Sequence, residues 1–285
     1  MKKTIKRILL LLLALALAAG ISAVVCSLTF RIKNYTVAIE GIERETKVVL
    51  ISDLHDRQFG RENQRLIDAI AAEHPDAIFV VGDMVNLGAD DAEVRRMVQL
   101  LERLQDIAQV YYSLGNTELQ NMMDSGTDVL RALRGTDVIA MLDDYVPTEI
   151  GGNRVNVGFT MGHYGYTRAQ WASPPDYAME HAVGADGTPA IVLMHMPESF
   201  LSDRHDDWTG DLYLCGHTHG GLWRIPGIGG VYAPTQGFFP KHDRGYYAPD
   251  GGKFQMIINP GLAGHSGLPR IFNMPEISVI RITPA

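Results

Sequence analysis

Five short apolar runs, at 48–51, 78–81, 110–114, 191–194 and 212–215, each end just before side chains that bind metal ions. Those side chains are Asp53 and His55, Asp83, Asn116, His195, and His217 with His219. Short, continuous apolar runs of this kind, several rich in Val and Ile, read as strands buried on both faces, the pattern of a parallel α/β sheet. Such sheets carry their chemistry beyond the carboxyl ends of the strands. Ligands scattered from Asp53 to His219 therefore have a way to converge.

The two-residue spacings support convergence. In extended backbone, residues i and i+2 point to the same side. Asp53 and His55 can face one ion, as can His217 and His219, or each pair can split between two ions. Imidazole, carboxylate and amide oxygen together suit Mn, Fe, Zn or Ni better than Ca. No thiolate set accompanies them, which argues against a Cys-rich structural zinc site. The two cysteines, Cys26 and Cys215, lie far apart and form no disulfide or zinc pattern. A single Asp-x-His, a lone His after a strand or a Gly-Asp turn would each be ordinary. Five in succession, each behind a buried-strand pattern, exceed what chance explains. The densest piece is 216–221, where glycines flank His217-Thr218-His219 and permit close backbone approach to a ligand.

The series Asp53-x-His55, Gly82-Asp83, Gly115-Asn116, His195 and Gly216-His217-x-His219 resembles the calcineurin-like metallophosphoesterases. The resemblance runs from about residue 48 to the C-terminus. With its Gly-His-Thr-His-Gly-Gly and its late Pro275-Glu276-Ile277, the chain is most similar to a membrane-attached bacterial branch. That branch includes a UDP-2,3-diacylglucosamine pyrophosphatase and other envelope phosphodiesterases. The resemblance implies an αββα sandwich of two facing mixed sheets flanked by helices. It also implies two divalent metal ions. Asp53, His55 and His219 would hold one; Asn116, His195 and His217 the other; Asp83 would bridge both. A pair of this kind lowers the pKa of a bound water and clamps the attacking and leaving oxygens of an in-line displacement. The sequence offers no sign of a serine-nucleophile elbow or of a Walker-type phosphate loop.

One catalytic position departs from the family pattern. Where the family places a His after the Gly-Asn pair, this chain has Thr117, and the Asp that often partners that His is replaced by Asn86. A threonine hydroxyl donates a hydrogen bond but is no acid near neutral pH. General acid catalysis contributes roughly 10²–10⁴-fold. The expected substrates are therefore esters whose leaving group departs readily as an anion, such as pyrophosphates or aryl phosphodiesters. His163 is a candidate replacement acid from another loop. Arg224 and Arg270 are candidate phosphate contacts. A catalytically weak relative that binds metal and a phospholigand, as sensor or scaffold, is the alternative function.

The N-terminus carries a second message. Lys2, Lys3, Lys6 and Arg7 precede an uncharged, largely apolar stretch at 8–30. As a helix this spans about 34 Å, enough for a hydrocarbon core of about 30 Å. A cleavable signal peptide is the competing reading, but the apolar character continues past its usual length. The basic flank predicts a cytoplasmic N-terminus, and hence a single-pass bacterial membrane protein with its domain outside the cytoplasm. That location fits envelope lipids, wall polymers or scavenged phosphodiesters better than a nucleotide-activated precursor inside the cell.

Beyond the anchor the chain carries 21 basic and 33 acidic side chains, a formal charge of −12. That balance disfavours nucleic acid as a partner. Residues 31–47 read as a lead-in with a strand at 35–39, and 48–285 as one domain. Helices are expected at 62–72, 92–107 and 125–133, the clearest having a stripe of Val94, Met97, Val98, Leu101 and Leu104. Further strands are expected at 138–142, 146–150 and 155–159. Residues 172–187 read as a loop over the site.

Overall fold

The computed structural model describes residues 2–162, 177–199, 207–248, 254–265 and 267–285. Its framework is two six-stranded sheets packed face to face. The first contains β1 (Arg31–Ile39), β2 (Thr46–Ile51), β3 (Ala77–Val81), β4 (Gln109–Ser113) and β5 (Ile139–Met141). The second begins with β6 (Asp144–Ile150), β7 (Asn153–Thr160), β8 (Ala190–Met194) and β9 (Leu212–Cys215). Two two-residue ladders follow, β10 (Arg224–Ile225) with β11 (Gly229–Gly230) and β12 (Tyr232–Ala233) with β13 (Gly237–Phe238). Then β14 (Gly245–Tyr247) and β15 (Gln255–Ile258) complete the second sheet, and β16 (Glu276–Pro284) returns to the first. The orders are β1-β16-β2-β3-β4-β5 and β14-β15-β9-β8-β7-β6. In the first, β2 to β5 run parallel and β16 antiparallel to β2; in the second, β7, β8, β9 and β15 run parallel. The two mixed sheets with flanking helices are the architecture the family resemblance implied.

The uninterrupted apolar runs follow from this layering. Successive strand side chains point to opposite faces, so a strand covered on both sides needs apolar residues at every position. Val48 and Leu50 point between the sheets, where they meet Phe79, Phe159, Leu193 and Leu214. Val49 and Ile51 point outward against the helices. Those helices are α2 (Gln64–Ala71), α3 (Asp91–Gln105), α4 (Asn116–Asp124) and α5 (Val129–Ala132), which follow α1 (Lys2–Leu28) in the chain. The α3 face buries Val94, Met97, Leu100, Leu101 and Leu104. Leu100 replaces the expected Val98, which is only partly covered. The α3 start is fixed by Asp90, whose carboxylate accepts from the Glu93 amide at 2.8 Å.

Three expectations are corrected. The helix expected at 125–133 is divided: α4 begins on Asn116 and ends before Gly126, which has φ +72°, and only one turn forms at α5. The stretch at 31–39 is a full edge strand, paired parallel with β16 from Arg31↔Glu276 to Ile39↔Pro284. Glu276 is wholly buried and binds the Arg31 guanidinium at 2.6 Å and the Tyr35 hydroxyl at 2.9 Å, so the late Pro-Glu-Ile segment clasps this edge. Of residues 172–187, the described part forms α6 (Ala178–Ala182), whose Met179 packs with Val183 on the outer face of the second sheet rather than over the strand ends.

Candidate metal centre

The parallel strands of both sheets end at one edge, and five of them deliver candidate ligands there. Asp53 and His55 follow β2, Asp83 follows β3, Asn116 follows β4, His195 follows β8, and His217 and His219 follow β9. Backbone bonds extend the β2–β3 pairing beyond the strands: Asp53 donates to Gly82 at 3.0 Å, His55 to Asp83 at 3.0 Å and Asp56 to Met84 at 2.9 Å. Two of the bonds that cross between the sheets involve these side chains directly. The His195 Nδ1 donates to the Val81 carbonyl at 2.8 Å, and the His217 amide donates to the Asp53 carboxylate at 3.1 Å.

The side chains gather into two groups, Asp53–His55–His219 and Asp83–His195–His217, with ligand atoms within 4.8 Å of one another in each. Asp83 Oδ2 lies 3.7 Å from His55 Nε2 and 3.5 Å from His195 Nε2, between the two groups. Asn116 Oδ1 approaches His195 Nε2 at 3.2 Å. The Nδ1 atoms of His55, His195 and His219 face the carbonyls of Val85, Val81 and Ala263 at 3.2, 2.8 and 3.3 Å. A carbonyl only accepts, so each Nδ1 carries a proton, which leaves Nε2 of His55 and His219 to present a lone pair inward; His195 Nε2 faces the Asn116 and Asp83 oxygens, and would present its lone pair where a cation takes the place of its proton. Among the described residues, His55 Nε2 and His217 Nε2 are buried without a hydrogen-bond partner. This donor set fits a pair of divalent cations, the cofactor that calcineurin-like phosphoesterases use.

Electrostatics and backbone point the same way. Burial raises the Asp53 carboxyl pKa more than nearby His195 lowers it. Burial also opposes protonation of His195, yet Asp83 and Asp53 outweigh it and push the imidazole up to about 10. His217 moves down to about 3, through burial and then through His195. A buried acidic pair that pulls this hard on one imidazole is a place where a cation is stabilised. Asp53, His55, Asp83, His217 and His219 all have left-handed φ, between 45° and 67°. Each costs on the order of 1–3 kcal/mol, and such costs cluster at functional sites.

Tight backbone approach holds the arrangement. A Cβ on Gly115 would lie 2.2 Å from Asp83 Oδ1. Gly115→Ala is therefore expected to displace the Asp83 carboxylate and to destabilise the fold by about 1–3 kcal/mol, the usual cost of overpacking. Urea unfolding together with metal content per chain checks it; unchanged stability and stoichiometry would contradict the packing argument.

Several site residues take roles other than those expected. Thr117 sits on the first turn of α4, lines the pocket, and its amide donates to Asp83 Oδ1 at 2.9 Å. Asn86 lines the same pocket. Arg270 is not a phosphate contact. It is 3 % exposed, and its guanidinium donates to the carbonyls of Ala263 at 2.6 Å, His219 at 3.2 Å and Pro260, bracing the loop that holds His219. Arg224 lies outside the pocket, donating to Gly220 O at 2.8 Å and to Asp243 at 2.5 Å. His163 falls outside the described residues.

Three residues were not singled out in the sequence. Glu118 is wholly buried; its carboxylate accepts from the amides of Asp83 and Gly115 at 2.8 Å and of Met84 at 2.6 Å, tying the loops after β3 and β4 together. His265 and Gln120 line the pocket of about 380 Å³ that contains the ligands. The His265 ring lies 5.1 Å from that of His219. The only sequence signal for His265 is its place after the apolar strand β15, through a longer loop than the one before any candidate ligand.

Comparison with known proteins agrees with this geometry. The chain matches the calcineurin-like phosphoesterase family over residues 46–221. It is 26% identical over 196 residues to the uncharacterized metallophosphoesterase Cj0846 of Campylobacter jejuni, a match covering 68% of this chain and 49% of that relative. The chain thus spans about half the length of that relative. It is 26% identical over 241 residues to phosphodiesterase YaeI of Escherichia coli, covering 83% of this chain and 82% of YaeI. Among solved structures, TT1561 of Thermus thermophilus aligns with a TM-score of 0.48 at 11% identity, covering 77% of this chain and 91% of that one. Matched from Thr46 to Gly221, with all the motif residues brought to one sheet edge, the chain belongs to the calcineurin-like phosphoesterase family.

Proposed function

We propose that this protein hydrolyses phosphodiester or pyrophosphate bonds and holds two divalent cations to do so. Asp53, His55 and His219 hold one, Asn116, His195 and His217 the other, and Asp83 serves both. The observation that carries the reading is the place of Asp83 Oδ2, 3.7 Å from His55 Nε2 and 3.5 Å from His195 Nε2. When bound, such a pair polarises a phosphoryl oxygen and stabilises both apical oxygens of an in-line displacement.

The protein's own groups do the positioning. The backbone carbonyls of Val85, Val81 and Ala263 fix three imidazoles in the tautomer that directs Nε2 inward. Asp53 and Asp83 supply the negative charge. Thr117 offers a hydroxyl at the pocket wall but no proton near neutral pH. The bond cleaved is thus one whose leaving group is already a good anion. A phosphate leaving from a pyrophosphate qualifies, its second pKa being about 6.

The N-terminal helix is long and apolar enough to cross a membrane. With four bases in its first two turns, we place the domain outside the cytoplasm of a bacterial cell as a single-pass protein. Its substrate is then an envelope phosphoester, lipid-linked in the favoured case; a sugar-nucleotide lipid of the UDP-2,3-diacylglucosamine type would require the opposite orientation of the helix. The excess of acidic residues disfavours nucleic acid. The name of YaeI, a phosphodiesterase, supports the diester class.

The test is turnover of bis-p-nitrophenyl phosphate by the full chain in detergent, with Mn²⁺ and with a chelator. Metal-dependent turnover supports the hydrolase. Full metal occupancy without turnover supports a second reading, which Thr117 and Asn86 keep alive: a metal- and phospholigand-binding sensor or scaffold.

A further inference from the structure

The helix and the domain are not joined by a linker. α1 ends at Leu28 and β1 begins at Arg31. Along α1, side chains are partly or fully covered at Ala19, Ser22, Ala23, Cys26 and Ser27, a stripe at helical spacing. The Phe272 amide donates to Ser22 Oγ at 2.6 Å. Arg65 donates to the Leu28 carbonyl at 2.9 Å, and Arg57 donates to that of Ser27. Phe30 packs edge-on against Phe59 at 5.1 Å. The domain therefore grips the last turns of the helix directly.

The depth of that grip matters. Ser22 lies six residues before the helix end, about 9 Å along the axis at 1.5 Å per residue. A helix that fills a core of about 30 Å uses about 20 residues, so counting from Ile8 brings the membrane surface close to the end of α1. Phe272 meets the helix below that level. Beside it, Ile225 and Ile228 line the same surface depression. Phe272, Ile225 and Ile228 are 42%, 41% and 71% exposed, apolar side chains turned outward next to a membrane-crossing helix.

The same loops reach the metal pocket. His265 and Gly267 form its rim, Leu268 donates to the His265 carbonyl at 2.9 Å, and the loop then runs to Phe272 at the helix. On the other side, ligand His55 precedes by two residues the Arg57 that binds the Ser27 carbonyl.

We propose that the loops carrying Ile225, Ile228 and Phe272 form a wedge that sits in the outer layer of the bilayer spanned by α1. The wedge holds the mouth of the metal pocket at headgroup level. The favoured substrate is then the phosphoester of an amphiphile resident in that membrane, a statement that rests on the hydrolase reading. Interfacial elements bury their apolar faces by roughly 5–10 Å, the depth at which Phe272 meets α1.

The wedge is tested without turnover. Cys26 and Cys215 are both buried, so a nitroxide added to Ile228→Cys labels the introduced thiol in the full chain. In phosphatidylcholine–phosphatidylglycerol nanodiscs, oxygen is expected to relax this label more than a water-soluble nickel chelate does. The exposed Glu149→Cys label on β6 is expected to show the reverse. Equal access of the chelate to both labels would overturn the wedge. A second arm compares Ile228→Asp with the native chain on two probes. Turnover of phosphatidyl-p-nitrophenol in vesicles is expected to fall about tenfold, because a charge at the bilayer surface resists burial. Turnover of soluble bis-p-nitrophenyl phosphate is expected to hold. An equal fall on both probes, or on neither, contradicts the inference. An inert native chain would count against the hydrolase alone, since the labels report the wedge independently.

Discussion

Asp83→Asn is expected to lower kcat/KM for bis-p-nitrophenyl phosphate by at least about 10²–10³-fold, the scale on which a single electrostatic group stabilises a transition state. Among the described residues, Asp83 Oδ2 is the carboxylate oxygen that lies within 4 Å of both His55 Nε2 and His195 Nε2. Asn keeps the size and the acceptor oxygen, so Oδ1 can still receive the Thr117 amide, now 2.9 Å away. What it removes is charge. His195 is then without the larger part of what raises its pKa, and both ligand groups are without a shared anion. The fall should come with reduced metal content, and raising Mn²⁺ should restore only part of the rate. Two measurements decide it, a Mn²⁺ titration of activity and metal content per chain. Native rates with a full pair of cations would remove Asp83 from the centre of the site.

How much of this was legible depended on what each residue's signal rests on. The strands before the ligands were readable because both of their faces are covered, which forces apolar residues such as Val48, Val49, Leu50 and Ile51 in succession. The residues that gather at the sheet edge were readable because they fall shortly after such runs. α3 was readable from its spacing. α4 was not, because it starts on Asn116 itself and its cap is formed by Gly115 and Glu118 on either side of that residue, so motif and helix share residues. Arg270 was misread for a different reason. Sequence shows that a guanidinium is present, while only the fold shows that its donors are spent on the carbonyls of Pro260, Ala263 and His219. The union of β1 with β16 joins residues 245 positions apart, and nothing local announces it. His265 reaches the pocket through a long loop after β15, too far from its strand for the run-then-ligand pattern to single it out.

The position where the family has its leaving-group His gives the other large effect. Thr117 is nearly buried at the pocket wall, with Asn86 and Gln120 beside the same space. Its amide is committed to Asp83 Oδ1, so the backbone at this point is fixed whatever side chain it bears. A hydroxyl there donates a hydrogen bond to a departing oxygen but keeps its proton. Rates on a series of substituted phosphodiesters are therefore expected to fall steeply as the leaving group becomes more basic. Thr117→His, with Asn86→Asp to orient the imidazole, is expected to raise turnover of the poorest leaving groups by about 10²-fold or more, within the usual range for general acid catalysis. The same variant should leave p-nitrophenyl esters almost unchanged, because p-nitrophenolate departs without a proton. That contrast separates acid catalysis from a general repair of the site, which would lift every member of the series alike. A flat series in the native chain would mean that the proton comes from elsewhere in the pocket, and His265, whose ring stands 5.1 Å from that of His219, is the side chain to replace next.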